Sequence, residues 1–161
     1  MEYIVNNVPY VAQKDETTCW NAAYRMMLKY KSGKDPDAAD RLPDAEKMKV
    51  TGIMDGQLLA CRTALGLTSS TYKAFLTVEG IKDKLDYYGP IWVSGNYCSG
   101  HKHILVVRGV RDPFLGEAEV YVNDPYRGYK SGVNEPKWVS LSYFKNNINP
   151  VSYACQHWDK S

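Results

Sequence analysis

The segment QKDETTCW, Gln13 to Trp20, sets a glutamine six positions ahead of a cysteine. After Cys19 the apolar residues Ala22, Ala23, Met26, Met27 and Tyr30 recur at helical spacing. The sulfur therefore belongs to the first turn of a helix that runs to about Lys31, with Thr17 or Thr18 available as its cap. Backbone N–H groups of a first turn point towards such a sulfur, and the helix dipole favours negative charge there. That environment makes a thiolate nucleophile rather than an inert buried thiol. Gln13, on the preceding loop, carries an amide that can reach a carbonyl oxygen under attack by Cys19. With the Cys19 backbone N–H it would form an oxyanion hole. One short segment thus supplies a nucleophile and its electrophilic partner for acyl transfer.

A nucleophile of this kind needs a base, and the chain has three histidines, His101, His103 and His157. His103 opens HILVVRGVRD, in which Ile104, Leu105, Val106 and Val107 form the unbroken apolar run of a buried strand. The next strand, in EAEVYVNDPYRG, ends at Asn123, Asp124 and Pro125. A histidine at the start of one strand and an Asn-Asp pair at the end of its neighbour can meet across an antiparallel ladder. The carboxylate or amide would orient the imidazole, and the imidazole would take the proton from Cys19. The other candidates read differently. Cys61, in LLACRTALGL, is a core cysteine. Trp20 is a core anchor beneath the site. His101 shares a face with His103 at period two and reads as a solvated loop residue. His157, in VSYACQHW, is structural or exposed. Tyr126 and Arg127 are surface residues with access to the cleft. The cluster Cys98, His101 and His103 (CSGHKH) has metal-ligand character, but no CxxC pair exists and no zinc-finger spacing supplies a fourth ligand. Neither a metal nor a cofactor is expected.

These blocks, in the order Gln, Cys, His, Asp/Asn, resemble the papain-like cysteine peptidases, in particular the compact bacterial branch of bacteriocin-leader peptidases and plant-pathogen effector proteases. In that branch the histidine opens a run of four apolar residues, a variable residue and a glycine. His103, then ILVV, Arg108 and Gly109 fit it, whereas His101 lies two positions out of register. The resemblance implies Cys19 as nucleophile, His103 as base, Gln13 in the oxyanion hole and Asp124 as the orienting group in a turn before proline. Asn123 is the rival for the last role, because papain uses asparagine there. The resemblance runs from Val8 to about Pro125. It also implies a protein or peptidoglycan-peptide substrate, hydrolysis through an acyl-enzyme, and an effector or toxin setting with a cognate inhibitor or immunity protein as a conceivable partner. Papain-like sites further include amidases, deamidases and transglutaminases, as well as inactive binding modules, and cleft loops such as 32–43 and 126–136 decide among them.

Length and composition agree with one compact enzyme domain over 1–161. Four cysteines form no dense disulfide framework. A net charge of +2, with both signs interspersed, leaves no nucleic-acid or membrane footprint. No apolar run approaches a membrane span and no signal-peptide core follows Met1, so the expectation is cytoplasmic residence, signal-independent export, or release from a larger precursor. The 13 tyrosines suit a cleft that grips extended polymers, or simply populate strands.

The elements that must position these residues read as helical first and sheet later. Residues 3–12 are an extended lead-in, followed by the Cys19 helix and a turn-rich loop, KSGKDPDAAD. DAEKMK and QLLACRTAL are helices, SSTYKAF a short strand, and VEGIKDKLDYYG a helix capped by Thr77 and stopped at Gly89-Pro90. PIWVSGNY, HKHILVVRGV and AEVYVND are strands, YRGYKSGVNEP a long loop, PKWVSL a strand, LSYFKNN a short helix and VSYACQHW a final strand. A helical half facing an antiparallel sheet is an α+β arrangement, with Cys19 on one side of a cleft and His103 on the other. If the helix start activates the sulfur, Cys19 will alkylate faster than Cys61, Cys98 or Cys155 at about pH 6–7. Peptide mapping of iodoacetamide adducts reads this directly, and equal labelling of all accessible cysteines contradicts it.

Overall fold

The first helix, α1 (Cys19–Tyr30), is buried on most of its circumference, from Cys19 through Leu28 with only Arg25 partly exposed. A helix with so little exposed face must lie inside the molecule, and its aromatic neighbours fix it there. Trp20 is fully buried and its Nε1–H donates to the Met48 carbonyl at 3.1 Å. Tyr24 stacks on Trp92 with ring centroids 4.6 Å apart, and its hydroxyl donates to Gln156 Oε1 at 2.8 Å. Trp158 Nε1–H reaches the Met27 carbonyl at 2.9 Å. The polar tips of Trp20, Tyr24 and Trp158 therefore each have a partner, whereas the buried Trp92 Nε1–H has none.

The computed structural model describes residues 1–160. Beneath α1 lies a seven-stranded antiparallel sheet, built from β1 (Glu2–Ile4), β2 (Thr68–Ser70), β3 (Ile91–Cys98), β4 (His101–Arg111), β5 (Glu119–Asn123), β6 (Lys137–Ser140) and β7 (Cys155–His157). The order is β2-β7-β3-β4-β5-β6, and β1 adds to β4 through Glu2 to Ile4 opposite Arg111 to Gly109. The remaining helices are α2 (Ala45–Thr51), α3 (Leu58–Leu65), α4 (Val78–Tyr88), α5 (Pro125–Ser131) and α6 (Leu141–Asn147). Helices and an antiparallel sheet thus form the expected α+β fold. The ILVV run is wholly buried in β4. Its register sets His103 beside Gly95 of β3 and Val106 beside Asn123 of β5. No helix among the described residues is long and apolar enough to cross a membrane.

Several expected elements differ. The long loop after Asp124 begins with α5, which the interior Gly128 disguises, since glycine weakens a helix. The helix forms because Asp124 accepts the Tyr126 N–H, Pro125 occupies the first turn, and Gly132, at φ 72°, supplies the left-handed cap. Gly128 is required there: a Cβ would lie 2.7 Å from that of Ala12 and 2.9 Å from the Tyr10 ring. SSTYKAF divides into β2 and a 3-10 turn over Tyr72–Phe75, because Thr71 accepts the Lys73 N–H and caps the turn. Within KSGKDPDAAD a 3-10 turn begins at Pro36, capped by Asp35. The lead-in pairs only through β1, and the final strand only through Cys155–His157.

The Trp20 ring joins α1 to α2 from within the core, so Trp20→Ala should cost about 3–5 kcal/mol of unfolding free energy in urea titration. A loss below about 1 kcal/mol would show that the α1–α2 contact does not depend on this ring.

Candidate active site

Cys19 begins α1, at the position the spacing assigns to it, and is buried to 8 % exposure. Thr18 occupies the capping position, but its hydroxyl does not cap the helix. It accepts the Lys14 and Asp15 N–H groups instead, each at 3.3 Å, while the Thr17 hydroxyl donates to the Lys49 carbonyl. The expected threonine cap is thus corrected: both hydroxyls are drawn into the loop and α2. No side-chain cap occupies the first turn among the described residues, so its N–H groups remain available beside the sulfur.

His103 stands on β4 with 3 % exposure, and its Nε2–H donates to Asp124 Oδ1 at 2.6 Å. Asp124, 5 % exposed, uses the same oxygen to accept the Tyr126 N–H at 3.0 Å, so the carboxylate that caps α5 also faces the histidine. Lys137 Nζ lies 3.2 Å from its other oxygen, Oδ2. The Tyr10 hydroxyl donates to the Asp124 carbonyl and accepts the Gly128 N–H at 2.8 Å, which ties the lead-in to this turn. Tyr126 presents a ring edge-on to His103 at a centroid distance of 6.1 Å. Asn123 turns the other way: its Nδ2 donates to the Pro9 carbonyl at 3.2 Å and contacts Met26 Sδ at 3.5 Å. Alternation along β5 separates the two neighbours.

Cys19 and His103 line one cavity of about 140 Å3, together with Glu16, Thr51, Ile53, Met54 and Lys102. Burial alone would lower the His103 pKa, but the Asp124 hydrogen bond, the nearby Cys19 sulfur and the Asp124 charge outweigh it and push it up to about 9. For Asp124, burial would raise the carboxyl, yet the His103 hydrogen bond and charge, Lys137 and the Tyr126 N–H hold it below the ordinary carboxylate range. With Nε2 committed to Asp124, Nδ1 is the ring nitrogen left for proton exchange with the sulfur.

Gln13 is buried on the loop ahead of α1, held by its N–H to the Pro125 carbonyl at 3.1 Å. Its Nε2 donates one hydrogen to the Asp15 carbonyl at 2.7 Å, and Oε1 is buried without a partner. Among the described residues no hydrogen bond joins this amide to Cys19 or His103. An orphaned buried carbonyl costs about 1–3 kcal/mol, a cost commonly found at working sites.

The remaining candidates lie elsewhere. His101 is exposed at the start of β4, in strand rather than loop. His157 is buried, with Nδ1 facing the Trp158 carbonyl and Nε2 2.7 Å from the Ser70 hydroxyl, a structural placement. Burial pushes the Cys61 thiol up to about 11 and the Cys155 thiol higher still, as befits core cysteines. Among the described residues no group of three His, Cys, Asp or Glu side chains is arranged to hold a metal ion. Lys137 and Tyr10 escaped sequence reasoning, because nothing local marks a lysine after proline or a tyrosine in a lead-in.

Over residues 2–149 the chain matches the family described as papain-like cysteine protease AvrRpt2. It belongs to that family. It is therefore a papain-like cysteine peptidase, and its α+β fold is that of the superfamily. The fold is also similar to the crystal structure of the peptidase domain of Streptococcus ComA, a bi-functional ABC transporter involved in a quorum-sensing pathway. The two superpose with a TM-score of 0.62 at 16 % sequence identity, covering 94 % of this chain and 97 % of that one. No curated protein sequence matches the chain.

The raised His103 pKa has a consequence for stability. Relative to an unfolded value near 6.5, the protonated ring contributes stability that is complete below about pH 6.5 and is lost as pH rises through about 9. Unfolding of wild type and His103→Gln, followed from about pH 6 to 10, should show the wild-type advantage shrinking across that window. A constant difference would mean that folding leaves the imidazole unperturbed.

Proposed function

We propose that this peptidase cleaves amide bonds through a Cys19–His103–Asp124 triad and a covalent acyl-enzyme, with Gln13 as an oxyanion donor. The observation that supports it is the 2.6 Å bond between His103 Nε2 and Asp124 Oδ1, on a ring that shares a cavity with the helix-start sulfur. The thiolate of Cys19 attacks the carbonyl carbon, and the oxyanion is met by the first-turn N–H and the Gln13 amide. Imidazolium His103 gives its proton to the leaving amine as the C–N bond breaks. The neutral ring then takes a proton from water, which attacks the thioester and expels the Cys19 sulfur. Asp124 keeps the ring oriented and favours its protonated form throughout. No step calls for a cofactor.

The substrate is a protein or a peptidoglycan stem peptide, and the setting is that of a bacterial effector or toxin. The resemblance to compact effector proteases supports this setting. A dedicated inhibitor or immunity protein is the corresponding partner. Neither a nucleic acid nor a membrane is part of this reading, in keeping with the near-balanced charge.

The test compares wild type and Cys19→Ala by mass spectrometry of target-cell proteins and cell-wall fragments, which separates cleavage from deamidation or acyl transfer. New termini that depend on Cys19 support proteolysis, and mass shifts without new termini overturn it. On a cleaved substrate, Cys19→Ala and His103→Ala should abolish turnover in a folded protein. Gln13→Ala should lower kcat by about 10²–10³. Asp124→Ala should be far more damaging than Asn123→Ala, and His101→Ala should keep most activity.

A further inference from the structure

Papain-like triads are described by three side chains, but here the third has a partner of its own. Asp124 divides its two oxygens. Oδ1 serves His103 Nε2 and the Tyr126 N–H, and Oδ2 faces Lys137 Nζ at 3.2 Å. The carboxylate side chain is 7 % exposed and the lysine side chain 39 %. The lysine therefore brings its ammonium to a buried carboxylate from the solvent side while keeping part of its hydration.

The position of Lys137 is built in by the backbone. Its register in β6 sets it opposite Val122 of β5, two residues before Asp124. The strand is delivered by Arg127 of α5, whose Nη1 donates to the Glu135 carbonyl at 3.1 Å and the Pro136 carbonyl at 3.0 Å. Asp124 begins α5, Arg127 lies on α5, and Arg127 grips the two residues ahead of Lys137. The path therefore closes on itself: carboxylate, helix, guanidinium, strand, ammonium, carboxylate. Among the described residues Lys137 makes no other ion pair.

We propose that Lys137 is a positioning residue of the site, holding Asp124 Oδ2 so that Oδ1 is presented to His103, and balancing the charge of the carboxylate–imidazolium–thiolate group. This rests on the triad reading above. With His103 protonated and Cys19 ionised, Asp124 leaves a buried group of net charge −1, and the ammonium brings the set to zero. A buried carboxylate with a hydrogen-bonded cation is tolerated where an uncompensated one is costly. The second effect is kinetic. His103 must hold a proton to release the amine and lose it to activate water. A neighbouring positive charge weakens the hold of Asp124 on that proton. Lys137 thus keeps the ring from holding its proton so tightly that too little of it is neutral for deacylation.

The other groups facing the pair are accounted for. Cys19 comes from α1, Tyr10 from the lead-in and Tyr126 from α5. Cys98 at the end of β3 and Tyr143 on α6 both feel the Asp124 charge. None of these carries a positive charge; the cavity lining adds Glu16 and Lys102, whose ammonium is paired with Asp55. Lys137 is the cation acting on Asp124 apart from His103 itself.

The experiment follows the His103 ring by NMR against pH in Cys19→Ala and in Cys19→Ala/Lys137→Met, which needs neither substrate nor turnover. Loss of the ammonium should raise the His103 titration midpoint by about half a pH unit or more, and Lys137→Arg should restore it. In the Cys19 protein, Lys137→Met should move the alkaline limb of kcat/KM upward by the same amount. It should also lower kcat at neutral pH several-fold, with KM falling alongside it as deacylation becomes limiting. An unchanged midpoint in Lys137→Met overturns the proposal, as does an equal shift in Lys137→Arg. Should Lys137→Met fail to fold, Lys137→Gln is titrated in its place with the same two readings. Turnover surviving in Cys19→Ala would overturn the triad instead, while the His103 midpoints still report whether Lys137 acts on the ring.

Discussion

A carboxylate and an imidazole held 2.6 Å apart, each almost fully shielded from water, impose conditions on everything around them. Removed from solvent, either group alone would neutralise, since an isolated buried charge is far costlier than its neutral form. Together they remain ionised only if each polar atom has a placed partner. The β4–β5 register brings the two strands together at the required level. The first turn of α5 gives the carboxylate a backbone N–H, and the Tyr10 hydroxyl fixes the carbonyl of the same residue. The lead-in, the sheet and a short helix are thereby organised around one hydrogen bond. Other contacts, such as the Asn123 amide on the Pro9 carbonyl and the Gln13 N–H on the Pro125 carbonyl, join the same elements around it.

Under the proposed triad, the same arrangement favours one thiol of the chain over the other three as nucleophile. Cys61 and Cys155 are buried among apolar side chains, where the anion is disfavoured. Cys98 is partly open, yet the negative charges of Asp124 and Glu16 lie near it and burial raises its pKa further. Cys19 combines a polar loop, an uncapped first turn and an imidazolium partner. Reactivity in this protein is thus a property of place rather than of residue type.

The parts of the fold legible in the sequence are those whose cause is local. The ILVV run is apolar because both faces of β4 are covered, and Thr77 announces α4 by capping it, accepting the Gly80 N–H. Cys19 and His103 were recognisable because each begins a periodic segment. The family resemblance favours Asp124, in the turn before Pro125, over Asn123, and the structure sets the Asp124 carboxylate against His103. What was not legible depends on contacts through space. Gly128 looks like a helix breaker until Ala12 and Tyr10 are seen against it. Lys137 reads as an ordinary strand lysine until β6 lies beside β5. The direction of the Gln13 amide is decided by the Asp15 carbonyl, a detail that spacing to Cys19 does not carry.

The place of β7 in the sheet bears on when the peptidase can act. This strand, Cys155–His157, enters between β2 and β3, away from either edge, and Trp158 just beyond it reaches back to the Met27 carbonyl on α1. A ribosome has therefore made Cys19, His103, Asp124 and Lys137 well before the segment that joins β2 to β3 exists. Until it does, the helix bearing the sulfur lacks both the Gln156 acceptor for Tyr24 and the indole of Trp158. A nascent chain would then carry every reactive group while lacking the seam that holds them in register. The seam closes only when the last strand has been made, so the geometry of the site is a property of the finished chain.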